Sequence, residues 1–81
     1  MNARRAWQAA KNQLEMELPQ GAFDFWISEC EILSIEHNVF LIGAPSEHSR
    51  KLLENRLGGR INKLLSGILN LDVTAEYVVK G

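Results

Sequence analysis

Phe23-Asp24-Phe25-Trp26-Ile27 gathers three of the chain's six aromatic side chains into five positions, directly after a Leu18-Pro19-Gln20-Gly21 break. A chain of 81 residues buries only about 60 to 65% of its unfolded surface, so its core is small and is arranged around these rings. Read as a helix at about 100° per residue, the stretch sends Phe23, Trp26 and Ile27 to one face. Phe25 then lies about 200° from Phe23 and points elsewhere. The first three are expected to be core, and Phe25 is expected outside it.

Upstream, Trp7, Ala10, Leu14 and Leu18 recur at helical spacing and predict a first helix over Ala3 to Leu18. Pro19 has no N–H to donate and disfavours helix at Leu18, while Gly21 frees the bend into the second helix. Downstream, Glu31 to Ile35 and Val39 to Ala44 carry apolar, often β-branched residues on either side of His37-Asn38, which predicts a β-hairpin with a tight turn. In the second strand Phe40, Ile42 and Ala44 alternate with Val39, Leu41 and Gly43, so neither face is polar and a central place in the sheet is expected.

Pro45-Ser46-Glu47 predicts a helix start, with Ser46 as cap and Glu47 favourable against the helix dipole. The helix continues through Leu52, Leu53 and Leu57 to Ile61, Leu64, Leu65, Ile68 and Leu69. Gly58-Gly59 interrupts it; two glycines cost about 2 kcal/mol relative to alanines inside a helix, so a kink or break is expected there. Leu71, Val73, Ala75, Tyr77 and Val79 then alternate as the buried face of a last strand. The expected fold is α+β in the order α-α-β-β-α-β, a three-stranded mixed sheet packed against helices, forming a single domain over residues 1–81.

Several function classes are disfavoured. The longest stretch without a formal charge, His37 to Ser46, is ten residues and cannot span about 30 Å of hydrocarbon as a helix, so no membrane association is expected. Lys11, Glu15 and Glu17 break up any signal peptide, and a single cysteine, Cys30, rules out an internal disulfide and fits a reducing cytoplasm. His37 and His48 stand eleven residues apart and Cys30 has no cysteine partner, so no metal site is expected. His37 reads as a turn residue. Glu29 and Glu31 would raise the Cys30 pKa rather than activate the thiol. Phosphate-binding loops are absent and the carboxylates are scattered, so neither a cofactor nor catalysis is expected.

Charge is segregated although the net charge is only −1. Seven acids (Glu15, Glu17, Asp24, Glu29, Glu31, Glu36, Glu47) lie between Asn12 and Ser49 without a Lys or Arg, and Arg50, Lys51, Arg56, Arg60 and Lys63 follow against Glu54 alone. This is either two solvated faces or a polarised surface that orients a charged partner. Weak contact with single-stranded DNA through Arg50 to Lys63 is the competing functional expectation.

Trp7 in the first helix, Leu18-Pro19 at its end, Phe23-x-x-Trp26-Ile27, and a hairpin ending in Ala44-Pro45 before a long helix carrying Arg50 and Ile61 together resemble the N-terminal domain of the bacterial replication initiator DnaA. The resemblance covers about Ala6 to Val79. It implies a KH-like fold that associates weakly with itself and recruits the replicative helicase and replication regulators, as part of a longer chain or as a free-standing relative. KH domains that bind single strands use a GXXG loop, and this sequence has none.

By position, the resemblance implies a partner surface of Ala22, Asp24 and Phe25 with Glu47 and His48. It implies self-association for Trp7, whose spacing equally allows packing on the core. The chain departs from the family pattern at Ala22, often acidic or polar, at Ser46, often asparagine, at His48, often aromatic, and at Leu52, often tryptophan.

Overall fold

Asn2 opens the first helix, its side-chain oxygen accepting the Arg5 N–H at 2.8 Å, and thereby satisfies one of the four orphan donors of a helix start. The computed structural model describes residues 2–80; Met1 and Gly81, the ends of the expected domain, lie outside the described residues. Helix α1 runs Ala3–Glu17 and buries Ala6, Trp7, Ala10 and Leu14. It stops at Leu18, whose backbone is extended as a residue before proline should be. Helix α2, Gln20–Trp26, follows directly with Pro19 as its cap residue.

Strands β1 (Glu31–Glu36) and β2 (Val39–Ala44) pair antiparallel across His37 and Asn38, both with positive φ (50° and 64°). Two consecutive left-handed residues give the turn whose twist matches a hairpin. Strand β3 (Thr74–Val79) lies parallel to β2 on its other side, so the sheet order is β1-β2-β3 and β2 is central, as its two apolar faces predict. On the face covered by helices Phe40, Ile42 and Ala44 are fully buried. They join Leu14, Ile27, Leu53, Ile61 and Leu65 in one hydrophobic cluster.

The opposite face of the sheet is uncovered. There β1 slips register between Ile32 and Ser34, and Leu33 lies across the central strand. Gly43 allows this approach: a Cβ there would meet the Leu33 Cδ1 at 3.2 Å and the Lys80 Cβ at 3.1 Å.

The expected long helix is helix α3 (Glu47–Leu52), a π-wound segment (Leu53–Leu57) and helix α4 (Gly58–Leu69). The break comes one turn earlier than the glycine pair and ends on it. Asn70, left-handed at φ 56°, terminates α4, and the Leu71 N–H donates to the Ser66 carbonyl. With α3 to α4 counted as one interrupted helix, the order is α-α-β-β-α-β.

Two expectations are corrected. Trp26 is half-buried against the core rather than enclosed by it, because α2 lies at the margin of the cluster. Leu71 and Val79 are exposed: Leu71 precedes β3, which begins only at Thr74, and Val79 is the last residue of an edge strand.

Candidate protein-interaction surface

Helix α2 is only seven residues long, too short to be stable alone, and is held by its anchors. Phe23 and Ile27 are buried beneath it. Beyond its end the Cys30 thiol donates to the Trp26 carbonyl at 3.1 Å. Lys11 of α1 donates to the Ser28 and Cys30 carbonyls at 3.1 and 3.2 Å, and Lys80 donates to the Glu29 carbonyl. Cations thus tie down the carbonyls of the turn that follows α2. The Cys30 pKa is pushed up to about 11, chiefly by burial; Lys11 and Lys80 act against this and Glu29 adds to it. Burial, rather than the flanking acids, is the main cause of that rise.

Helix α3 begins as its sequence predicts. Ser46 accepts the Ser49 N–H at 3.1 Å, and its own hydroxyl donates to the buried Ser49 Oγ at 3.2 Å. Arg50 is fixed by both neighbouring acids, its Nε donating to Glu47 at 2.9 Å and its Nη1 to Glu54 at 2.7 Å. The guanidinium holds the Glu47 carboxyl below the usual carboxylate range.

Between α2 and α3 lies an open groove of about 670 Å³. Leu18 contributes from the end of α1, Trp26 from α2, His48, Lys51 and Leu52 from α3, and Asn55, Arg56 and Leu57 from the π-wound segment. Its apolar members are all half-buried, so the core has not used up their surface. No carboxylate lines it. Lys51 and Arg56 are exposed, and among the described residues neither is in an ion pair.

Of the residues singled out in the sequence, His48 lines this groove. Phe25 is 65% exposed, as helical geometry predicts. Asp24 is exposed on α2 and accepts from Gln20 at 2.9 Å; Ala22 is half-buried. Glu47 sits exposed in the first turn of α3, engaged with Arg50. Trp7 stands apart from the others, 4% exposed in the core, and its indole Nε1 has no partner among the described residues.

Sequence reading missed the groove's own floor: Trp26, Leu52 and Leu57. One signal was present. Leu52 and Leu53 are consecutive, about 100° apart on a helix, so when Leu53 points into the core Leu52 falls at the edge of the apolar face. Among the described residues no three His, Cys, Asp or Glu side chains converge to hold a metal. The segregated charges partly cancel, because Arg60 Nε donates to Glu17 at 2.9 Å and Lys80 lies 3.7 Å from Glu31.

The sequence model of the DnaA N-terminal domain matches residues 4–67. The chain belongs to the DnaA N-terminal domain family. Among curated relatives, the chromosomal replication initiator protein DnaA of Thermomicrobium roseum is 26% identical over 81 residues, covering 100% of this chain and 17% of the relative. The corresponding protein of Roseiflexus castenholzii is 24% identical over 98% of this chain and 16% of its own length. That of Herpetosiphon aurantiacus is 19% identical over 98% and 17%. The chain therefore spans less than a fifth of the relatives it matches. All groove residues of this DnaA N-terminal domain, Leu18 to Leu57, fall inside the matched range, whereas β3 lies beyond it.

Proposed function

We propose that this chain is a protein–protein interaction domain serving the initiation of DNA replication in the cytoplasm, with no catalysis of its own. It recruits a replicative helicase or a replication regulator through α2 and the start of α3, and it associates weakly with itself. The observation that carries this reading is the division of α2. Phe23 is spent on the core, while Phe25 is left exposed on a helix whose neighbour α3 presents His48 at an apolar groove. Phe25 does not line the groove; an exposed ring on α2 and a half-buried apolar floor against α3 are two features of the kind an interface uses.

Trp7 is covered and packs on the core, so its own ring is not what a second copy would touch. The exposed outer side of α1, where Met16 projects, is what a second copy would meet. Single-strand binding through Arg50 to Lys63 has less support, because Arg50 and Arg60 are already committed to Glu47, Glu54 and Glu17. No described helix is long and apolar enough to cross a membrane.

The test is the affinity of Phe25→Ala and His48→Ala for the cognate replicative helicase and regulators. Both variants are expected to fold normally and bind at least about fivefold more weakly. Unchanged affinity in both for every partner tried would remove the surface assignment.

A further inference from the structure

We propose that the groove between α2 and α3 takes an acidic amphipathic segment of the partner protein. One bulky apolar side chain of that segment sits against Trp26, Leu52 and Leu57, and its flanking carboxylates meet Lys51 and Arg56. This rests on the partner-recruiting reading above and adds to it the chemistry of what is recruited.

Three observations carry it. The floor is made of apolar side chains that the core leaves half-covered, in a space large enough for an aromatic or branched aliphatic group. The charge at its edge has one sign: Lys51 and Arg56 line it, and no acid does. Nor is that charge held in an ion pair. Arg50 is neutralised by Glu47 and Glu54, and Arg60 by Glu17, whereas Lys51 and Arg56 have no ion-pair partner among the described residues.

A cation flanking an apolar slot gains by meeting a carboxylate and loses by meeting another cation, so the groove selects by repulsion as well as attraction. A nucleic-acid strand fits less well. It needs a continuous run of free cations along its backbone, and pairing has broken up the Arg50 to Lys63 run.

The test uses the folded chain and three probes at one low salt concentration. These are a labelled amphipathic peptide with a leucine and phenylalanine face rimmed by glutamates, the same peptide with every glutamate replaced by lysine, and oligothymidylate. The glutamate peptide is expected to bind best and to shift the Trp26 fluorescence, with Trp7→Phe removing the other indole signal. Joint replacement by Lys51→Glu and Arg56→Glu should weaken it roughly tenfold and improve the lysine peptide, with Lys51→Gln and Arg56→Gln falling between.

Equal binding of the two peptides, no binding of either, tighter binding of oligothymidylate, or indifference to the charge reversals would each overturn the proposal. Helicase or regulator binding that is lost in Phe25→Ala but kept in the charge-reversed protein would sink this inference alone. Binding insensitive to both would sink the recruiting surface as well.

Discussion

Phe25 and Trp26 are consecutive on α2 yet divided in environment: Phe25 is 65% exposed, and Trp26 is half-buried at the margin of the core as part of the floor of a groove. This division predicts how each side chain contributes to stability. Phe25→Ala should change the free energy of unfolding by no more than about 0.5 kcal/mol, as is usual for a surface position. Trp26→Ala should cost about 1 to 2 kcal/mol, below the roughly 3 to 5 kcal/mol of a fully enclosed ring. Urea titrations followed by circular dichroism measure both, and equal losses would contradict the division.

Arg60 and Glu17 join α4 to α1 over a wide sequence separation, and the guanidinium, together with the hydrogen bond donated by Gln13, lowers the Glu17 pKa from its ordinary 4.5 to about 2. A carboxylate whose folded-state pKa is depressed stabilises the fold above its unfolded-state value, and that contribution disappears as pH falls through the folded-state value. Stability should therefore decline between about pH 4.5 and 2 partly on account of this pair. In Glu17→Gln the urea midpoint should be lower at neutral pH and fall less steeply over that window. An acid limb identical to the parent's would show that the pair contributes nothing.

Gly67 and Gly43 should respond to alanine with opposite sign. Gly67 lies inside α4, and a Cβ there meets nothing within 4 Å, so Gly67→Ala should stabilise by about 0.5 to 1 kcal/mol. Gly43→Ala sets a methyl 3.1 Å from the Lys80 Cβ and 3.2 Å from the Leu33 Cδ1, so both must give way, and it should destabilise by about 1 kcal/mol. Thermal melts of the two variants decide it.

Tyr77 has a buried hydroxyl without a hydrogen-bond partner among the described residues, and burial pushes its pKa well above the ordinary tyrosine value. Tyr77→Phe removes an unsatisfied polar group while keeping the ring, and should stabilise by about 1 kcal/mol. A loss of stability would reveal a hydrogen bond made through ordered water.

Much of the fold was legible because its signals are local. The His37-Asn38 turn, the Ser46 cap and the Pro19 break each act within a few residues. The two apolar faces of β2 announce its central place. The π-wound turn was legible only as trouble near Gly58-Gly59, since the glycines weaken the helix there without specifying how the preceding turn winds. The groove was not legible, because it exists only once α2 is set beside α3. Leu52 and Leu57 then become its floor instead of more core. Nor does spacing decide the role of Trp7; the packing of α1 against the sheet buries it. The pairing of Arg60 with Glu17 likewise depends on α1 and α4 lying side by side, so a basic run in the sequence is a partly neutralised one in the fold.

The central claim is that α2 and the start of α3 form the recruiting surface. The most direct measurement is a backbone amide chemical-shift titration of the labelled chain with its cognate replicative helicase or regulator. Perturbed resonances should cluster on Ala22 to Trp26 and on Glu47 to Leu57, with α4 and β3 unaffected. Perturbations centred on β3 or the open face of the sheet, with α2 and α3 silent, would contradict it.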